Sequence, residues 1–431
     1  MPSAHPIDKP FVSDDRVISF DPWIVVAFLF PLTKLVTIKL GGTLFGQDVL
    51  GVTLFLFFIV QKDGITRLNQ IWPVLTLLVS WFLSQVITDL YRGTPVEDYS
   101  RGWLKIIMFG FQITALWLFL SRRSSYVAAF ALGQAISLVG MYPTLVETYG
   151  YQFWKFGVGE GIGLFVAAIF SGVLPGTAWL KRYAWIALGA CAFLMLFLGY
   201  RSGFGALIVA AGLCFAVNTL NRLPALRARF NGPMFALVLL GGLASSQLIF
   251  SIYGYFASSG ALGVEAQDKY ELQTQGEVPI ILGGRVESLV STEAIAESPI
   301  IGHGSWAKSM YYQRLLRVKM REYGIRLIGD KAFRNDLIPT HSYIFGAWVE
   351  AGVIGAVFWL YVIAYCIMTV YKLFKYNLEF FPLVSLMSVS LLWAVWFSPF
   401  GAEARFSASL TIVVMLLIRR ATDRVAAPAN T

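Results

Sequence analysis

His341 stands in the run Ile338-Pro339-Thr340-His341-Ser342-Tyr343, where a long polar stretch gives way to an apolar one. Imidazole titrates near neutrality, so a histidine at such a boundary can take the proton of a hydroxyl. A lone histidine there is more often a helix cap or an interfacial polar residue. Two arginines weigh against that plain reading. Arg201, in Leu198-Gly199-Tyr200-Arg201-Ser202-Gly203, sits in a very short connection between two apolar runs. Arg285, in Gly283-Gly284-Arg285-Val286-Glu287, follows a glycine pair in the polar stretch. Guanidinium pairs bidentately with phosphate oxygens and keeps its proton, so two arginines converging on a histidine would make a diphosphate clamp beside a base. Taken singly, Arg201 could snorkel to an interface and Arg285 could be a solvated charge.

Other polar residues have weaker claims. Glu287 is an alternative base, or the group that orients His341, although a salt bridge to nearby cations explains it as well. His303, between Gly302 and Gly304, reads as part of a tight turn, with substrate contact as the lesser option. Arg314, Arg317 and Arg321 recur at three- and four-residue steps beside Leu315, Leu316, Val318 and Met320, which describes an amphipathic helix with a cationic face. That face could guide an anionic substrate or lie against lipid phosphates. Asp89 and Arg92 are expected to pair, and Lys34 to snorkel. No Asp-x-Asp pair or histidine cluster suggests a metal, no cofactor is indicated, and Cys191, Cys214 and Cys366 fall inside apolar runs as packing residues.

The elements that must hold these residues are membrane helices. The 431 residues are 57% hydrophobic and 14% charged, against about 25% charged in a soluble domain. Apolar runs predict an all-α, polytopic integral membrane protein of about twelve transmembrane helices, near 22–38, 46–61, 71–90, 104–121, 124–142, 158–179, 183–199, 203–219, 233–255, 341–371, 380–398 and 406–419. Lys62 and Arg67, Arg122 and Arg123, Lys181 and Arg182, Arg222 with Arg227 and Arg229, Lys372 and Lys375, and Arg419 with Arg420 and Arg424 follow every second helix and mark the cytoplasmic side. The organisation expected is a cytoplasmic tail (1–21), nine helices (22–256), a large loop outside the cytoplasm (257–340), three helices (341–419) and a second cytoplasmic tail (420–431). A cleavable signal peptide is not expected, since the first 21 residues hold Asp8, Asp14 and Asp15. The net charge of +9 has this topological explanation, so nucleic acid is not expected as a partner.

The order Arg201, Gly284-Arg285, Glu297-Ser298-Pro299-Ile300-Ile301-Gly302-His303-Gly304, His341-Ser342-Tyr343-Ile344-Phe345 and Glu350-Ala351-Gly352-Val353-Ile354-Gly355 resembles the O-antigen ligase and O-antigen polymerase superfamily. The resemblance in hydropathy covers nearly the whole chain, and the motifs occupy about 200–357. It implies a GT-C-like fold and a metal-independent, inverting glycosyltransferase on the periplasmic face of the bacterial inner membrane. The donor it implies is a glycan on undecaprenyl diphosphate, with Arg201 and Arg285 on the diphosphate and His341 catalytic. Possible partners include a chain-length regulator or other polysaccharide-assembly proteins. Ser342 departs from the asparagine often found after this histidine, although a hydroxyl can still orient the ring or cap the helix.

Two acceptors are compatible with this resemblance: another lipid-linked repeat unit, favoured slightly, which makes a polymerase, or lipid A-core, which makes a ligase. A lipid-linked oligosaccharide transporter is the reading from a different class; paired broken helices or internal symmetry would favour it.

Overall fold

The computed structural model describes residues 21–39, 42–172, 176–274, 286–323 and 336–426. Asp21 caps α1 (Pro22–Leu29), accepting a hydrogen bond from the Trp23 amide at 3.0 Å. Pro31 has no N–H to give the carbonyl of Ala27, and the chain tightens into a 3₁₀ turn at Phe30–Leu35. A short antiparallel pair follows, β1 (Thr37–Lys39) with β2 (Thr43–Phe45), which the expectation of a helix to residue 38 did not contain. The helices continue as α2 (Gly46–Ile59), α3 (Gly64–Leu68), α4 (Trp72–Arg92), α5 (Val96–Leu120), α6 (Ser124–Gly140), α7 (Tyr142–Tyr149), α8 (Val158–Ile169), α9 (Ala184–Phe197), α10 (Arg201–Arg222), α11 (Pro224–Ala228) and α12 (Gly232–Ser258). The expected loop contributes α13 (Val264–Thr274), α14 (Glu287–Glu297) and α15 (Met310–Glu322), and the chain returns through α16 (Tyr343–Ala351), α17 (Val353–Lys375), α18 (Phe381–Phe397) and α19 (Ala402–Ala426).

The chain is an all-α membrane protein. Among the described residues, five helical stretches are long and apolar enough to cross a membrane, namely Gly64–Arg92, Val96–Leu120, Ala178–Phe197, Arg201–Arg222 and Val353–Lys375. The pair Ser124–Gly140 and Tyr142–Ile169, bent by 42°, makes a sixth if read as one span. Among the described residues, Pro22–Leu35, Gly46–Ile59, Gly232–Gly242 and Phe381–Phe397 are apolar but shorter. Large apolar side chains point outward, as Val79, Leu83, Ile87 and Leu90 do at three- and four-residue steps along α4. Such a stripe suits lipid, which is as apolar as the side chains themselves.

Inside, Trp81, Phe109, Phe358, Trp359 and Phe400 pack ring against ring, with the Phe109 and Trp359 centroids 5.9 Å apart. Polar contacts collect above and below this apolar middle. At one end, Asp21 meets Arg123 and Tyr126, Asp63 meets Arg67 and Arg122, and Lys372 reaches Asp423 at 2.9 Å. At the other, Lys34 pairs with Glu403 at 3.1 Å, and Arg405 with Asp48 at 2.9 Å. Lys34 is therefore a buried ion-pair partner and does not snorkel, because Glu403 supplies the counter-charge locally. Cys191, Cys214 and Cys366 are free and buried.

Two further boundaries differ from expectation. The run read as one helix over 341–371 is broken at Gly352, whose φ of 71° is left-handed. The last helix continues past Arg419 to Ala426, held where Thr422 and Asp423 bind Lys372.

Candidate functional site

His341 sits half-buried on a segment that is fixed on both sides. Before it, the Ile338 amide donates to the Ala307 carbonyl at 2.8 Å, Ser291 Oγ donates to the Pro339 carbonyl at 2.7 Å, and Ser309 N donates to the Asp336 carbonyl at 2.7 Å. After it, buried Ser342 is the N-cap of α16: its Oγ accepts from the Phe345 amide at 3.2 Å and donates to the Val395 carbonyl at 2.8 Å. The hydroxyl thus does the capping that the sequence allowed, and it ties the helix head to α18. Val286, Val290, Ala294, Tyr312, Leu316, Ile338 and Val349 form a small apolar core beneath this segment. That core is why α14, α15 and α16 hold together beside the bundle.

The glycine-rich motifs are one interlock. His303 N donates to the Val349 carbonyl at 2.7 Å, Gly304 N to the Glu350 carbonyl at 3.1 Å, and Val353 N to the Pro299 carbonyl at 3.0 Å. A Cβ on Gly352 would lie 1.9 Å from the Ile300 carbonyl oxygen, and one on Gly302 2.6 Å from Gly352 N. No side chain fits at either place, and both backbones are left-handed. The bundle grips this interlock from α4 and α5. Asp89 is buried and accepts from Ser305 N at 2.6 Å, Ser305 Oγ at 2.7 Å and the Trp103 indole at 2.8 Å. Ser84 Oγ donates to the Ala351 carbonyl at 2.7 Å, and Lys105 pairs with Glu350.

Arg201 is the first residue of α10, entered through a left-handed turn at Gly199 (φ 73°). Its guanidinium lies 5.3 Å from the ring centre of Tyr253 on α12. The preceding residue, Tyr200, packs against Gly159 and Gly203, where an added Cβ would fall 2.6 and 2.3 Å from its ring. Between those tyrosine-bearing turns and α16 lies Glu160, near the head of α8. Its carboxylate accepts a hydrogen bond from Ser407 and is within electrostatic reach of Lys34, Glu403, Tyr200 and Tyr343. The Glu160 side chain keeps exposed surface although protein packs around it on several sides. The neighbours of Arg201 and of His341, Tyr200 and Tyr343, are therefore both within electrostatic reach of one carboxylate, the Tyr343 ring itself packing against Trp359 and Phe400. Glu160 was missed in the sequence, although an acid in Gly159-Glu160-Gly161 within an apolar run carries the signal of an intramembrane ionisable group.

The other predicted residues have mixed fates. Arg285, like the polar segment up to it from 275, lies outside the described residues. Glu287 starts α14, and its carbonyl shares Ser291 Oγ (2.8 Å) with Pro339, two residues before His341. His303 is a structural residue: its Nε2 lies 2.7 Å from the Ala294 carbonyl, and its ring stands edge-on to Tyr312. Arg314, Arg317 and Arg321 are exposed on α15, whose other face buries Tyr312 and Leu316. Asp89 and Arg92 hold different partners. Arg92 donates to the Gly302 carbonyl and to Ser298 Oγ at 2.7 Å, because the turn offers it acceptors where Asp89 is already engaged by donors. Two cavities, of about 270 and 380 Å³, lie at the opposite end, lined by residues such as Arg122 and Arg123, and Lys181 and Arg182. Among the described residues, no three His, Cys, Asp or Glu side chains gather as metal ligands. The chain matches no family model and no curated protein.

Proposed function

We propose that the chain is a polytopic bacterial inner-membrane glycosyltransferase of about twelve passages that uses an undecaprenyl-diphosphate-linked oligosaccharide as donor on the periplasmic face. A polymerase of O-antigen or exopolysaccharide is the leading form, and an O-antigen ligase acting on lipid A-core the alternative. The observation that supports this reading is that one carboxylate, Glu160, lies within electrostatic reach of both Tyr200 and Tyr343, the chain neighbours of Arg201 and His341. Ionisable groups within a membrane bundle call for a reason, since a charge at a helix centre costs about 2.5–3.5 kcal/mol even on the lenient scale.

In this reading Arg201 binds the diphosphate, aided by the amide-rich head of α10. His341 takes the proton of the acceptor hydroxyl while that oxygen attacks the anomeric carbon from the face opposite the diphosphate. The sugar–phosphate bond breaks with its electron pair on the leaving oxygen, and the arginine stabilises that charge as it develops. Glu160 is a second group able to hold a proton near these residues, and Glu287, one helical turn from the clasp on Pro339, remains the alternative base. Outside the cytoplasm no nucleotide sugar is at hand, so a donor carrying its own activating diphosphate meets the chemical need.

The bend of 42° between α6 and the stretch Tyr142–Ile169 and the break at Gly352 favour a second reading, a transporter of lipid-linked oligosaccharide. Purified protein incubated with lipid-linked oligosaccharide, with and without lipid A-core, separates the readings on a gel. A ladder means polymerase and a shift of lipid A-core means ligase; specific binding without product means transport and overturns the transferase.

A further inference from the structure

Trp306 is the one residue other than glycine with a left-handed backbone among the described residues (φ 51°). Such a conformation disfavours any residue with a Cβ, and for a bulky side chain it persists only where the surroundings impose it. The surroundings do impose it. Ser305, immediately before, is buried and held by Asp89, and a Cβ on Gly102 would lie 2.0 Å from its Oγ, so the turn is pressed onto α5. Ala307, immediately after, is tied to Ile338, and Lys308 to Asp98 at 2.7 Å. A core tryptophan would repay such strain by burial. This one does not, since 39% of it is accessible. Arg101 stands over the ring with its guanidinium carbon 5.7 Å from the centre.

A flat, rigid, half-exposed indole with one face backed by a guanidinium is suited to take the apolar C–H face of a pyranose ring on the other. The platform is also close to the proposed chemistry. Ala307 pairs with Ile338, three residues before His341, or about 10 Å of extended chain at ~3.3 Å per residue. We propose that Trp306, with Arg101 behind it, is a stacking subsite for a sugar ring of the glycan chain. This deepens the glycosyltransferase reading and rests on it for the identity of the glycan.

The test uses full-length protein in nanodiscs and, as probe, lipid-free repeat-unit oligosaccharide released by mild acid from the host's own surface polysaccharide. Trp306→Asn removes the ring and puts a residue tolerant of left-handed backbone in its place, so thermal stability should hold or rise. Binding by titration calorimetry should weaken about tenfold or more, the equivalent of 1.4 kcal/mol, while Trp306→Phe should stay within a few-fold of the parent. Equal binding by parent and Trp306→Asn overturns the platform, as does no binding to the parent. A fall in melting temperature of Trp306→Asn with binding intact per folded molecule assigns the indole to the fold and also overturns it. The two readings fail separately. Glycan transfer by Trp306→Asn at the parent's KM removes the platform and leaves the transferase, whereas ring-dependent binding by a protein that transfers nothing removes the transferase and leaves the platform.

Discussion

Replacing Asp89 by alanine tests whether the interlock is held from the bundle. The carboxylate receives Ser305 N, Ser305 Oγ and the Trp103 indole within 2.8 Å, and Gln85 Nε2 at 3.3 Å. The Ser305 hydroxyl can turn elsewhere, and Gln85 also reaches Ser305 Oγ and the Glu350 carbonyl. The Ser305 amide is fixed in direction and buried, and Trp103 is half-buried, where water reaches it only partly. An orphaned buried donor costs about 1–3 kcal/mol, so the two fixed N–H groups together put the loss at about 2–4 kcal/mol. Each 1.4 kcal/mol is a factor of ten. Only the Ser305 amide belongs to the segment 298–309, so its share of about 1–3 kcal/mol should quicken hydrogen exchange of peptides there by about 5- to 150-fold if that segment opens locally. Asp89→Asn keeps one acceptor oxygen and should show a smaller effect in the same peptides. Exchange over 298–309 unchanged in Asp89→Ala, with the melting temperature also unchanged, would refute the reasoning. The interlock would then be carried by its own backbone pairs.

Asp48→Asn should destabilise the protein by about 3–5 kcal/mol by leaving Arg405 uncompensated, and Asp48→Leu with Arg405→Met should recover most of that loss, both read by thermal unfolding in detergent. His341→Ala should lower glycan transfer about 10²-fold or more with donor affinity within a few-fold of the parent; retained turnover with poor donor binding would make the residue a phosphate ligand or a structural element. Arg201→Lys should impair transfer at unchanged protein level, since a point charge lacks the fork of guanidinium, and near-normal turnover would reduce the residue to charge alone. For sidedness, Ser305 is buried and unsuited to a reporter, whereas Thr292 is exposed on α14. Thr292→Cys should react with an impermeant maleimide in intact spheroplasts, and labelling only after lysis would reverse the orientation.

The helices were legible because apolar runs announce themselves one segment at a time. The runs near 46–61, 71–90 and 203–219 meet α2, α4 and α10 within a few residues. Ser342 as a cap was legible for the same local reason. What was hidden depends on partners far along the chain. Nothing near Gly302 says that Gly352 lies against it, and nothing near Asp48 says that Arg405 neutralises it. The glycines could be read as turns but not as a fit between two backbones. Lys34 and Asp89 were misread because their partners, Glu403 and Ser305, are 369 and 216 positions away. Glu160 could have been found, since an acid inside an apolar run needs a reason.

The Asp48–Arg405 pair joins residues 357 apart in the chain, and that separation sets a schedule for assembly in the bilayer. At about 5–20 residues per second of synthesis, α2 waits roughly 20–70 s before the arginine that neutralises it is made. Throughout that interval the aspartate has no counter-charge from the last helix. A ribosome that stops before α19 leaves a chain whose early helices carry unmatched ions, a ready mark by which membrane proteases could tell unfinished molecules from finished ones.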